Sequence, residues 1–86
     1  MTRLWTNPIR IRVQYDEQWQ PLRFVWHNRG YRIEQIQEHW QIDTDWWHEQ
    51  GQIQRDYWSV TTHEGLLCVL YFDRLDGNWY LNKVYD

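Results

Sequence analysis

The residues of this chain best equipped for chemistry are four histidines, a scatter of aspartates, one cysteine, and arginines interleaved with aromatic rings. His39, Asp43, Asp45 and His48 offer nitrogen and oxygen donors for a divalent cation. Their spacing matches no established ligand pattern, and polar residues beside a turn are the plainer explanation. His27 and His63 stand at turn edges with no evident carboxylate partner for general-base work. Asp56, between Arg55 and the rings of Tyr57 and Trp58, is the kind of carboxylate held by charge-assisted hydrogen bonds. It reads as a structural group that pins a turn or pairs an arginine of the first two strands.

Cys68 is the only cysteine and sits within Leu66-Leu67-Cys68-Val69-Leu70. A thiol in such a run is expected to be buried and inert, and one cysteine excludes an internal disulfide. The chain contains no glycine-rich phosphate loop, no G-x-S-x-G elbow and no H-E-x-x-H pair. The expectation is therefore a protein that is not an enzyme and carries neither cofactor nor metal.

The remaining chemistry belongs to Arg10, Arg12, Arg23 and Arg32, together with Trp26, Trp46, Trp47 and Trp58. Guanidinium groups match phosphate geometry, and aromatic faces accept stacked bases, which together hold single-stranded nucleic acid without reading its sequence. Trp, Tyr and Arg are also the residues most enriched in protein–protein hot spots. An overall charge of −3 and a pI near 5.7 weigh against tight, autonomous nucleic-acid binding. The charge is unevenly distributed, however. Residues 1–33 hold six arginines against two carboxylates, and residues 34–86 hold three cations against ten carboxylates.

The elements that position these residues follow from periodicity and punctuation. Ile9 to Tyr15 alternates apolar and polar at every step, and Leu22 to His27 repeats the pattern. This places Ile9, Ile11, Val13, Leu22, Phe24 and Trp26 on one face, with Arg10, Arg12 and Arg23 on the other. Asn28-Arg29-Gly30 reads as a tight hairpin turn. The segment 31–42 carries two patterns: a helical stripe of Ile33, Ile36 and Trp40, or a strand with a β-bulge near Glu34-Gln35, after which Ile36, Glu38, Trp40 and Ile42 alternate. The preceding turn favours the strand. Around 43–50 a Trp-rich loop or short helix is expected to cover an open end of the core. Residues 57–62, 66–72 and 79–85 read as three further strands, with turns at His63-Glu64-Gly65 and Asp76-Gly77-Asn78.

At 86 residues the chain is expected to be a single domain over 1–86, with a core that is rich per residue. Eight Trp, six Tyr and two Phe supply it, each able to remove about 150–250 Å² from water. About six strands with no covering helix layer must curl on themselves. The predicted fold is all-β, a small antiparallel barrel or strongly bent meander sheet of SH3-like size. No apolar run reaches the ~20 residues of a membrane helix, and the start lacks a signal peptide's apolar stretch, so a cytoplasmic protein without membrane contact is expected.

One ordered set of residues adds to this reading. It comprises Phe24-x-Trp26, Gly30-x2-Ile33, Trp40, Trp46-Trp47, Arg55-Asp56-Tyr57-Trp58, Leu70-Tyr71-x-Asp73 and Gly77-x-Trp79-x-Leu81-x2-Val84-Tyr85-Asp86. Over residues 9–86 this resembles an uncharacterised bacterial domain family that occurs alone or at the C-terminus of ImuB-like relatives of Y-family DNA polymerases. The resemblance implies an accessory role in DNA-damage tolerance and brings no catalytic residues. The expected function is then a non-catalytic binding module. One form is a protein–protein adaptor linked to DNA repair or translesion synthesis, presenting Trp46, Trp47, Arg10 and Arg12 to an unidentified partner. The alternative is a weak single-stranded nucleic-acid binder using the arginine and tryptophan face. Either a monomer or a homodimer is compatible with both.

Overall fold

The computed structural model describes residues 2–44 and 52–85, with residues 2–7 described by backbone alone. Six strands, β1 (Thr2–Tyr15), β2 (Pro21–Trp26), β3 (Arg29–Asp43), β4 (Gln54–Thr62), β5 (Leu67–Asp73) and β6 (Asn78–Tyr85), close into an antiparallel barrel in chain order. Two long strands make the closure possible by changing partner along their length. β1 pairs with β6 from Thr2 to Ile11 and with β2 from Arg12 to Tyr15. β3 pairs with β2 from Arg29 to Arg32 and with β4 from Ile33 to Asp43. No helix long and apolar enough to cross a membrane occurs among the described residues.

The interior is the apolar face that alternation assigns to each strand. Ile11, Phe24, Trp26, Tyr31, Trp58, Val60, Cys68, Leu70, Trp79, Leu81 and Val84 form one buried cluster, with Ile9, Val13, Ile33 and Ile36 packed against it. Segment 31–42 is strand throughout. Glu34 is the extra residue between the Ile33–Thr62 and Gln35–Thr61 pairs, so the expected bulge is present. A second bulge at Gln37, between the Ile36–Val60 and Glu38–Ser59 pairs, was not expected and shifts the phase again. As a result, Trp40 does not share the inner face with Ile36. It stacks on Tyr57 on the outside of the barrel at 5.4 Å and 3°, while His39 lies against Trp58 at 4.5 Å.

Two local expectations are corrected in the first hairpins. The turn between β2 and β3 is His27-Asn28, with Trp26 paired to Arg29 and both turn residues in the left-handed region at φ 53° and 61°. That is the backbone of a two-residue type I′ hairpin, which Asn tolerates well, and Gly30 is already inside β3. Leu22 is 52% exposed rather than core. The β1–β2 register slips between Gln14–Arg23 and Tyr15–Pro21, leaving Leu22 as the unpaired bulge residue.

The outer face holds a second, smaller cluster. Trp40, Tyr57, Tyr71 and Tyr80 form a row of rings across β3, β4, β5 and β6, with centroids 5.0–5.4 Å apart. Arg55 lies over the Tyr71 ring at 4.7 Å, donates to the Tyr57 hydroxyl, and leaves Tyr71 only 2% exposed. Burial pushes the Tyr71 phenol up to about 12, with Arg55 partly opposing it, and burial pushes the Cys68 thiol up to about 12. The unfolded chain gives up these protons near 9.0 and 10.0. Stability that is intact below pH 9 is therefore lost progressively as pH rises towards 12, because only the unfolded state releases the protons early. Urea midpoints are expected to fall across that window, and Cys68→Ala to flatten the first part of the decline. A native thiol that reacts with alkylating reagent at pH 8 as fast as an unfolded one would contradict this burial.

Candidate functional site

Arg10 and Arg12 point outward from β1 because Ile9, Ile11 and Val13 take the inward positions. The β1–β2 pairing sets Arg12 opposite Val25 and Gln14 opposite Arg23, which brings a third guanidinium onto the same outer surface. Two shallow depressions run along it. One, of about 560 Å³, is lined by Arg10 to Val13 of β1 and Gly77, Asn78 and Trp79 at the start of β6. The other, of about 340 Å³, is lined by Arg12, Val13, Gln14, Arg23 and Val25. Arg12 and Val13 belong to both, so the two depressions adjoin at β1, and the three arginines line this composite trough between them.

Arg10, Arg12 and Arg23 form no ion pair among the described residues. Four other arginines differ. Arg32 faces Arg23 across β2 and β3 but is held by Glu64, with Nε 3.3 Å from the carboxylate and the Arg32 N–H donating to it at 2.8 Å. That backbone bond, with the guanidinium's help, lowers the Glu64 pKa. Arg55 sits 3.6 Å from Asp73, and Arg74 bridges Asp43 and Asp56. Arg29 lies over the Tyr31 ring at 5.4 Å. Carboxylates thus gather on the second half of the chain's strands and turns, while the β1–β2 face keeps its cations. The charge asymmetry in the sequence survives in space on that face.

Of the tryptophans singled out in the sequence, Trp26 and Trp58 are core rings, 8% and 3% exposed, and their faces pack against His27, His39, Tyr31 and Trp79. They are not available for stacking on a ligand. Trp46 and Trp47 lie outside the described residues. The exposed rings are instead Trp19 and Tyr15, stacked on each other at 4.8 Å and 10° in the β1–β2 turn. A large aromatic within a polar turn, Asp16-Glu17-Gln18-Trp19, was the available signal. Asp56 pairs with Arg74, which comes from the β5–β6 turn rather than from β1 or β2. His63 does have a carboxylate neighbour, Glu34, at 3.5 Å. Among the described residues no group of three or more His, Cys, Asp or Glu side chains is arranged to hold a metal ion.

The whole chain, residues 1–86, matches the family model described as Domain of unknown function (DUF6504). The chain belongs to the DUF6504 family. No curated protein and no solved structure matches it. The barrel gives positions to the residues singled out in the sequence. Phe24, Trp26, Trp58, Trp79, Leu81 and Val84 build the interior. Trp40, Tyr57 and Tyr71 build the outer ring row, and Gly77 is the left-handed turn residue, at φ 74°, that borders the basic trough.

Proposed function

We propose that this domain is a non-catalytic binding module that holds the phosphodiester backbone of single-stranded nucleic acid along the β1–β2 trough. The observation that carries the reading is the juxtaposition of Arg10, Arg12 and Arg23 on one outward surface, with no ion pair to any of them among the described residues. Three guanidinium groups along a curved barrel wall suit a flexible strand better than a stiff duplex. Trp26 and Trp58 are buried and offer no stacking platform, so the contact is to phosphates. Phosphate contacts position a strand without reading it. Binding is accordingly weak, salt-sensitive and indifferent to sequence, in keeping with a net charge of −3. The resemblance to the C-terminal piece of ImuB-like polymerase relatives makes DNA-damage tolerance in the cytoplasm the setting we assign to it.

The test is fluorescence anisotropy of a labelled oligothymidine at low ionic strength. Binding is expected, with log K falling against log salt at a slope of about −2, since each phosphate neutralised on a single strand contributes roughly 0.7. An unchanged anisotropy at low salt ends the proposal. A protein-adaptor reading keeps one specific observation in its favour: Leu22 and Val25 are exposed apolar side chains beside Arg23. An apolar and basic surface that ignores oligonucleotides but captures a protein from the native host through Arg10, Arg12 and Leu22 would favour that reading instead.

A further inference from the structure

One glycine on the outer surface of the β1–β2–β3 corner is not required by its own backbone. Gly30 lies inside β3 paired with Val25, and its φ is outside the left-handed region that Gly65 and Gly77 occupy at 90° and 74°. A glycine inside a strand weakens it, and often marks a close approach by another group. Here that group is Arg23. A Cβ on Gly30 would fall on Arg23 Nη2 and lie 3.5 Å from Cζ and 3.9 Å from Nε, so its three nearest atoms all belong to one guanidinium.

The register explains the reach. Phe24 and Tyr31 are turned inward, which leaves Arg23, Val25, Gly30 and Arg32 on the outer surface. Directly across from Arg23 stands Arg32, a second guanidinium already engaged by Glu64, which offers Arg23 no partner. Arg23 instead leans diagonally to the bare backbone at Gly30, beside Val25. Because Arg12 faces Val25 from the other side, the leaning head ends in the same cross-strand row as Arg12 rather than one row back beside Gln14. The Arg23 side chain stays exposed there.

We infer that Gly30 is a positioning residue of the trough, whose missing side chain seats the Arg23 guanidinium in line with Arg12 to receive a phosphate of the bound strand. The inference rests on the phosphate-binding reading of this surface. A long side chain held against the sheet has already lost rotamer freedom, so its contact with a phosphate does not bear that cost again. A methyl at position 30 lifts the head out of the seat and restores the cost. The charge remains beside the strand, and only its placement is lost.

Gly30→Ala is therefore expected to weaken the binding of labelled oligothymidine at low salt by about three- to tenfold, the effect of having to order one long side chain. Its log–log salt slope should stay near the parent's value of about −2. Its melting temperature should equal or exceed the parent's, because alanine gives up less backbone freedom than glycine when a strand forms. Arg23→Ala, by contrast, should lower both affinity and slope, the slope by roughly 0.7. With Arg23 already alanine, adding Gly30→Ala should change binding by less than about twofold, since position 30 acts only through that side chain. The seat itself is read without any ligand, as a nuclear Overhauser contact between the Gly30 Hα protons and Arg23 Hδ or Hε in the full chain. Absence of that contact overturns the inference. So does a Gly30→Ala variant that binds like the parent, or one that weakens binding equally in the Arg23→Ala background. If the contact is present but the parent does not bind oligothymidine, the phosphate reading fails while the seating of Arg23 by Gly30 stands, which tells the two failures apart.

Discussion

Replacing Phe24 with alanine is expected to cost about 3–5 kcal/mol, the usual range for deleting a fully buried phenyl ring and leaving its cavity. Phe24 is 0% exposed, stacked on Tyr31 at 5.2 Å and 16°, and paired across the sheet with Val13 on one side and Tyr31 on the other. It therefore sits where β2 bridges the two strands that change partners. A domain of 86 residues has about 4–13 kcal/mol of stability in all, so the loss consumes a large share of it. The melting temperature should drop by roughly 12–40 °C, read by circular dichroism against Leu22→Ala as the control. Leu22 is apolar in the same strand but is the exposed bulge residue, and its truncation should change stability by less than about 0.5 kcal/mol. If the two variants melt alike, the bulge has been misplaced and the inward face of β2 is not the one described.

Leu22 also shows what alternation in the sequence can and cannot convey. The period-two pattern of Ile9 to Tyr15 names the inner face of β1 correctly, and the three-residue gap between Ile33 and Ile36 locates the first bulge of β3. Both succeed because an apolar residue on one side and a polar one on the other leave a single consistent phase. The argument fails where both faces are apolar. Trp40 looked like a continuation of Ile36, yet the barrel buries rings on its outside as well, and the bulge at Gln37 sends Trp40 to that row. Trp26 and Trp58 were candidate binding rings by residue type alone, and type does not say that both belong to the core while the outer row takes Trp40. Trp19 was missed because its exposure comes from a turn whose left-handed step no periodicity records. The arginines follow the same logic. That Arg10, Arg12 and Arg23 share a wet face follows from alternation. That Arg32 alone of the four is neutralised depends on Glu64, brought alongside from a distant turn, and sequence spacing holds no trace of that contact.

That difference among the four arginines makes the sharpest test of the trough. The triple variant Arg10→Glu/Arg12→Glu/Arg23→Glu is expected to abolish oligothymidine binding at every salt concentration, and the corresponding triple alanine variant to bring the log–log salt slope from about −2 to near zero. Arg32→Ala, which removes a guanidinium already occupied by Glu64, should change the slope by well under one. Stability should not follow binding. Arg23 and Arg32 stand directly opposite each other, but Glu64 already offsets the Arg32 charge, so Arg23→Glu should leave the melting temperature close to that of the parent. A variant that is at least as stable as the parent and yet no longer binds separates the surface from the scaffold, because unfolding cannot account for the loss. The opposite outcome, a triple reversal that binds oligothymidine as the parent does, would mean that whatever holds the strand lies elsewhere on the barrel, and the three guanidinium groups of the trough would then need a different occupant.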